Sequence, residues 1–179
     1  MTPSPASTSL SQSIPELCQD LVENHHEYIR AVGPALLRQA VDLGPHDTRA
    51  DLPALILLLR TLLRDLDTHM LKEEAILFPY CQRLASATEA VSMHCGNTAN
   101  PIRAMDAEHK HCQSQLITLA RLTDNYTPAA GSSAVYAGWL EQLKLFAEDL
   151  KIHIYKEDQL LFPLALARDA ELRGADMVS

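Results

Sequence analysis

Residues 65–79 read DLDTHMLKEEAILFP and residues 149–163 read DLKIHIYKEDQLLFP, identical at eight of fifteen positions. Both copies carry a His followed four residues later by a Glu (His69 and Glu73; His153 and Glu157), and both end in Leu-Phe-Pro. Upstream, His26 precedes His69 by 43 residues and His109 precedes His153 by 44. Self-similarity at this scale constrains architecture more than any single propensity. Each half reads as a helix carrying a lone His, then a helix carrying His-x-x-x-Glu. The chain is expected to be two helical hairpins of common design packed together.

The rest of the chain agrees with that plan. Ser13-Ile14-Pro15-Glu16 has the capping-box pattern, and a helical pattern runs from Pro15 to about Val41 with Pro34 placed to bend it. Asp51 is placed to cap a second helix, about Leu52 to Arg83. Asn100-Pro101 opens a third, to about Leu122, and Ser132 or Ser133 caps a fourth, to about Ala167. Leu and Ala dominate, Gly is scarce, and no useful stretch alternates with period two. The expected fold is all-α, an antiparallel up-down-up-down four-helix bundle. It occupies 13–168, between a Ser/Thr/Pro-rich disordered tail at 1–12 and a C-terminal tail at 169–179.

A net charge of -8 argues against nucleic acid and anionic membrane as partners. No signal-peptide core and no apolar run long enough to span a bilayer is present, so the expected location is cytoplasmic. Cys18, Cys81, Cys95 and Cys112 show no CxxC spacing and are expected as free thiols. Cys112, three residues after His109, either lies near the site or packs as a small buried thiol; Cys95 falls in a polar connection. His94 and His111 read as surface or loop residues.

A His and a Glu four residues apart share one helix face. On the second helix the inward stripe runs Leu62, Leu66, His69, Glu73, Ile76 or Leu77, Tyr80. On the fourth it runs Phe146, Leu150, His153, Glu157, Leu160 or Leu161, Leu164. Two buried carboxylates near one axis repel and lose hydration. Divalent cations remove the conflict. Four imidazoles and two bridging carboxylates suit a pair of iron ions, about 3.5–4 Å apart as in other paired-metal sites. Manganese shares these preferences, whereas zinc favours a single four-coordinate site. Ferritin-like bundles use Glu-x-x-His, the reverse order at shorter spacing. Asp65 and Asp149, four residues before His69 and His153, either orient those imidazoles or lie exposed at the stripe edge. His25 and His26 fit the first helix's stripe equally well. Phe78-Pro79, Phe162-Pro163, Lys72 and Lys156 read as packing, helix-bend and surface features.

At these residues the sequence resembles the hemerythrin-like HHE family. Asn-His-His-Glu-Tyr-Ile-Arg at 24–30 and the paired His-x-x-x-Glu…Leu-Phe-Pro segments carry the match, which covers about Glu16 to Leu166. Within the family it is most similar to the RIC group, di-iron proteins for repair of iron–sulfur clusters, through PIRAMDAEH at 101–109 and Asn125-Tyr126-Thr127-Pro128. The resemblance implies metal ligation by His26, His69, His109 and His153, with Glu73 and Glu157 bridging. The family's ligand stands eight residues before a Pro in this helix, and Pro34 therefore selects His26; His25 lines the pocket or faces solvent. His46 lies near a loop where RIC relatives carry a His. RIC proteins usually add an N-terminal Cys-Cys domain, which these residues do not include. Oxygen-carrying hemerythrins use five His with a Glu and an Asp, a different set.

The resemblance implies two non-haem iron ions, oxo- or hydroxo-bridged, and a role in nitrosative or oxidative stress. The implied role is repairing, or supplying iron to, damaged iron–sulfur clusters, with apo iron–sulfur proteins as acceptors. The alternatives are a nitric oxide or dioxygen binding and sensing module, and a di-iron nitric oxide or peroxide reductase. Monomer and homodimer both remain open.

Overall fold

The computed structural model describes residues 12–44, 51–92 and 98–176, and every long element among them is a helix. Four helices span residues 14–43, 52–86, 99–122 and 134–176. The tail expected at 1–12 falls almost wholly outside the described residues, as do His46, His94 and Cys95.

Local chemistry sets the helix starts. Ser13 N–H donates to Glu16 Oε2 at 2.8 Å and its hydroxyl accepts from Glu16 N–H, completing the capping box. Ser133, rather than Ser132, caps the fourth helix, its hydroxyl accepting from Tyr136 N–H at 3.1 Å. Asp51 occupies the cap position of the second helix but makes no side-chain capping bond. Pro34 lies inside Glu27–Leu43 without ending it. At Gly33 the first and second helices approach so closely that a side chain would collide with Leu63.

Three π turns interrupt the helices, at Leu21–His26, Glu73–Leu77 and Glu157–Leu161. Phe78 N–H donates to Glu73 O and Phe162 N–H to Glu157 O, each five residues on. The helix restarts at Phe78 and Phe162, so Pro79 and Pro163 fall in a first turn where no N–H donor is needed. The wider turn moves the buried face one residue along. Leu77 and Cys81 follow Glu73 inward, and Leu161 and Ala165 follow Glu157. Of the alternatives that regular α-helical spacing left open, Ile76 and Leu160 are 57% and 37% exposed, and Leu164, expected inward, is 41% exposed.

Two apolar clusters fill the bundle. One gathers Leu36, Leu55, Leu59, Leu62, Trp139, Leu140, Leu143, Phe146 and Leu150. The other gathers Leu17, Leu21, Leu77, Phe78, Tyr80, Leu84, Leu161 and Phe162. On each helix the boundary between them falls at His26, His69–Glu73, His109 or His153–Glu157.

The last helix corrects one expectation. The 169–179 segment, expected as a tail, is helical to Asp176. Leu172 and Asp169 are buried there. Asp169 Oδ2 accepts from the Thr98 hydroxyl at 2.6 Å, and Asp169 Oδ1 accepts from Arg173 at 3.0 Å. Thr98 and Tyr80 hydroxyls lie 3.1 Å apart, which ties the start of the third helix to both of its neighbours. The signal was weak because the stripe there alternates with polar residues.

Candidate metal centre

The first helix supplies His26, the second His69 and Glu73, the third His109, the fourth His153 and Glu157, and all six are buried. Every imidazole turns its Nε2 inward. His26 and His153 place these nitrogens 3.1 Å apart, as do His69 and His109. Glu73 reaches His69 Nε2 at 3.2 Å and His26 Nε2 at 3.5 Å. Glu157 reaches His153 Nε2 at 3.1 Å and His109 Nε2 at 3.0 Å. The side chains form two groups, His26–Glu73–His153–Glu157 and His69–Glu73–His109–Glu157, each with donor atoms within 4.8 Å of one another. Both carboxylates belong to both groups.

The donor set fits a pair of cations. Glu73 Oε1 and Oε2 and Glu157 Oε2 accept no well-angled hydrogen bond although they are buried, and orphaned carboxylate oxygens are costly in an apolar interior. Two imidazole nitrogens bound side by side to one first-row ion, each at about 2.1 Å, stand about 3 Å apart. The observed separations match that edge.

Three of the four outward nitrogens find carboxylates. His26 Nδ1 donates to Glu74 at 2.6 Å, His69 Nδ1 to Glu108 at 2.9 Å and His109 Nδ1 to Asp158 at 2.8 Å. Partners of this kind fix the tautomer and leave the inward lone pair free. Arg30 donates to Glu74 and Lys72 to Glu108. Of Asp65 and Asp149, which the sequence left as either orienting groups or exposed carboxylates, Asp65 accepts from Arg64 and Gln115, and Asp149 Oδ1 accepts from His25 Nδ1 at 2.9 Å. The overlooked signal was in the repeat itself, where an acidic residue follows each inward Glu (Glu74 and Asp158). Lys72, read as ordinary surface, is part of this support.

His25 is buried beside the site with both ring nitrogens engaged away from it: Nδ1 donates to Asp149, and Nε2 accepts from Lys156 at 2.9 Å. His111 is exposed, as expected.

Electrostatics follow from this packing. Burial works against a charged His109, but the hydrogen bond to Asp158 and the Glu157 carboxylate 3.0 Å from its Nε2 prevail and push it up to about 10. In His26 and His69 burial is likewise overcome by Glu73, which raises both. Burial opposes the charge of Glu157, yet His153 and His109 hold it well below the usual carboxylate range. Burial pushes the thiols of Cys18 and Cys112 up to about 12, so both stay protonated and unreactive at neutral pH.

A cavity of about 420 Å³ between the second and third helices reaches the His69–His109 side, lined in part by Leu66, Lys72, Glu108 and Cys112. On the opposite side Phe78 stacks on His26 at 5.6 Å between ring centres.

The model of the hemerythrin HHE cation binding domain matches residues 19–165. The chain belongs to this family. Among relatives of this hemerythrin-like chain is the iron-sulfur cluster repair protein YtfE of Musicola paradisiaca, 34% identical over 90% of the chain and 68% of the relative. The protein of that name in Edwardsiella ictaluri is 33% identical over 84% of the chain and 65% of the relative. That of Yersinia pestis is 32% identical over 87% and 67%. The chain thus spans about two thirds of the length of these relatives. A hemerythrin HHE domain is a cation-binding fold, and the His/Glu groups could hold metal as that fold requires. No helix among the described residues is long and apolar enough to cross a membrane.

Proposed function

We propose that His26, His69, His109 and His153, with Glu73 and Glu157 bridging, hold two iron ions that this protein supplies to damaged iron–sulfur proteins in the cytoplasm under nitrosative or oxidative stress. The observation that carries the reading is the sharing of both buried carboxylates between two His-pair groups. Relatives named for iron–sulfur cluster repair support it. The bound pair would supply exchangeable ferrous iron. The chain's own part is to neutralise and orient: Glu73 and Glu157 balance charge, and Glu74, Glu108 and Asp158 hold three imidazoles in the tautomer with the inward nitrogen unprotonated. In the test, iron-loaded protein is mixed anaerobically with an apo iron–sulfur enzyme, and cluster recovery is compared with that from free ferrous salt. Faster or fuller recovery is expected; recovery no better than free salt overturns the reading.

One observation favours a second reading, nitric oxide or dioxygen binding. The cavity at the His69–His109 side gives a diatomic ligand a way in. Reversible nitrosyl formation without loss of iron would select this reading over iron supply.

A further inference from the structure

Three of the four inward imidazoles rest on a carboxylate; His153 is the exception. Its Nδ1 is buried and has no partner. One turn earlier on the same helix, Asp149 Oδ2 is also buried without a partner. A donor with nothing to receive it and an acceptor with nothing to bind thus stand one turn apart, where side chains four residues apart have Cβ atoms about 5–6 Å from each other. Helical side chains lean toward the N-terminus, which carries the His153 ring back toward residue 149. Native interiors rarely leave two such groups unpaired, and a gap with polar walls suits one water.

Asp149 is itself held from outside. Its Oδ1 accepts from His25 Nδ1 at 2.9 Å, and His25 Nε2 accepts from Lys156 Nζ at 2.9 Å. Lys156 also donates to Asp20 on the first helix. The His25 ring lies nearly parallel to that of His153, at 18°, with centres 5.8 Å apart. The carboxylate of Asp149 is therefore bonded to one of two stacked imidazoles, with its second oxygen buried and unpaired.

We propose that Asp149 is the fourth orienting carboxylate of the site, joined to His153 Nδ1 directly or through one buried water, and that Asp20, Lys156 and His25 hold it there. Asp149 is a positioning residue: it fixes the tautomer of His153 and leaves the inward nitrogen free. The two halves of the repeat differ here, because Asp65, its counterpart, turns to Gln115 and leaves His69 to Glu108. The two ion positions are therefore unlike, and the one served by His26 and His153 depends on a chain that begins at the surface of the first helix. This inference rests on the metal reading above.

The test compares wild type, Asp149→Asn and Asp158→Asn, each loaded with ferrous iron and titrated with a chelator. Wild type is expected to hold both ions. Asp149→Asn is expected to weaken one of them by roughly 10- to 100-fold, the usual effect of losing an outer-shell partner, with the second ion and the urea midpoint of the metal-free protein unchanged. Zinc-loaded wild type supplies a second measurement by nitrogen NMR of the imidazoles. His153 is expected as the Nδ1–H tautomer with a slowly exchanging proton, and that proton should exchange faster in Asp149→Asn. If Asp149→Asn holds both ions like wild type while Asp158→Asn loosens one, the proposal is overturned and the metal reading stands. If wild type takes up no metal, both fall.

Discussion

His109 donates its Nδ1 proton to Asp158 at 2.8 Å, and Asp158 is the residue that follows Glu157. The fourth helix thus supplies an inward carboxylate and, one step on, the carboxylate that steadies an imidazole from its neighbour. Glu74, directly after Glu73, does the same for His26. Replacing Asp158 by Asn removes the charged acceptor while keeping shape. The expected result is roughly 10- to 100-fold weaker binding of the ion next to His109, measured by chelator competition. Unchanged affinity would show that burial alone holds the ring.

The raised His109 has a consequence for pH. Its folded value of about 10 lies above the ordinary 6.5. In the metal-free protein this contributes stability that is fully present below about 6.5 and is lost as pH rises through about 10. Glu157 works the other way: its lowered value contributes stability above the ordinary 4.5 that is lost as pH falls below it. Urea midpoints of metal-free protein should therefore fall at both ends, and His109→Gln should flatten the alkaline limb. An alkaline limb that persists unchanged in His109→Gln would contradict this. Metal uptake at neutral pH should also release protons, seen as a binding heat that varies with buffer.

Glu73 is a buried carboxylate in the site itself, with His69 Nε2 at 3.2 Å and His26 Nε2 at 3.5 Å. Glu73→Leu should abolish paired-metal binding and, by leaving the raised His26 and His69 without their buried counter-charge, cost the metal-free protein about 3–5 kcal/mol at neutral pH. Urea denaturation in the presence of a chelator measures this. A metal-free variant as stable as wild type would contradict the part given to Glu73 in raising the two imidazoles.

Thr98 marks the opposite case, a buried polar group with a structural role. Its hydroxyl donates to Asp169 at 2.6 Å. Thr98→Val should cost about 1–3 kcal/mol by leaving a buried carboxylate short of a donor, without changing metal content. A loss of metal in this variant would show that the far end of the bundle is coupled to the site.

The bundle and the inward facing of His69, Glu73, His153 and Glu157 were legible because the repeat places them in matching contexts on apolar stripes, and the matching offset picked out His109, whereas only the family resemblance separated His26 from His25. The π turns were not. Regular spacing could not choose between Ile76 and Leu77, and the turn that decides it depends on a five-residue hydrogen bond opening at Glu73. The Leu-Phe-Pro ending was its trace, because a proline just after the turn fits the missing donor. Glu74, Glu108 and Asp158 were hidden for another reason. They lie at stripe edges, where sequence alone cannot separate a solvated carboxylate from one that receives an imidazole proton across the bundle. The C-terminal extension to Asp176 depends on tertiary bonds from Asp169 and Arg173, which no local pattern announces.

The most direct measurement is the iron content per chain after anaerobic loading and gel filtration, in wild type and in the Glu73→Leu, Glu157→Leu double variant. Two irons per wild-type chain and none in the folded double variant are the expected result, one ion for each of the two His–Glu groups. Equal iron in both proteins, or none in wild type, would contradict a paired-ion site built on these two carboxylates.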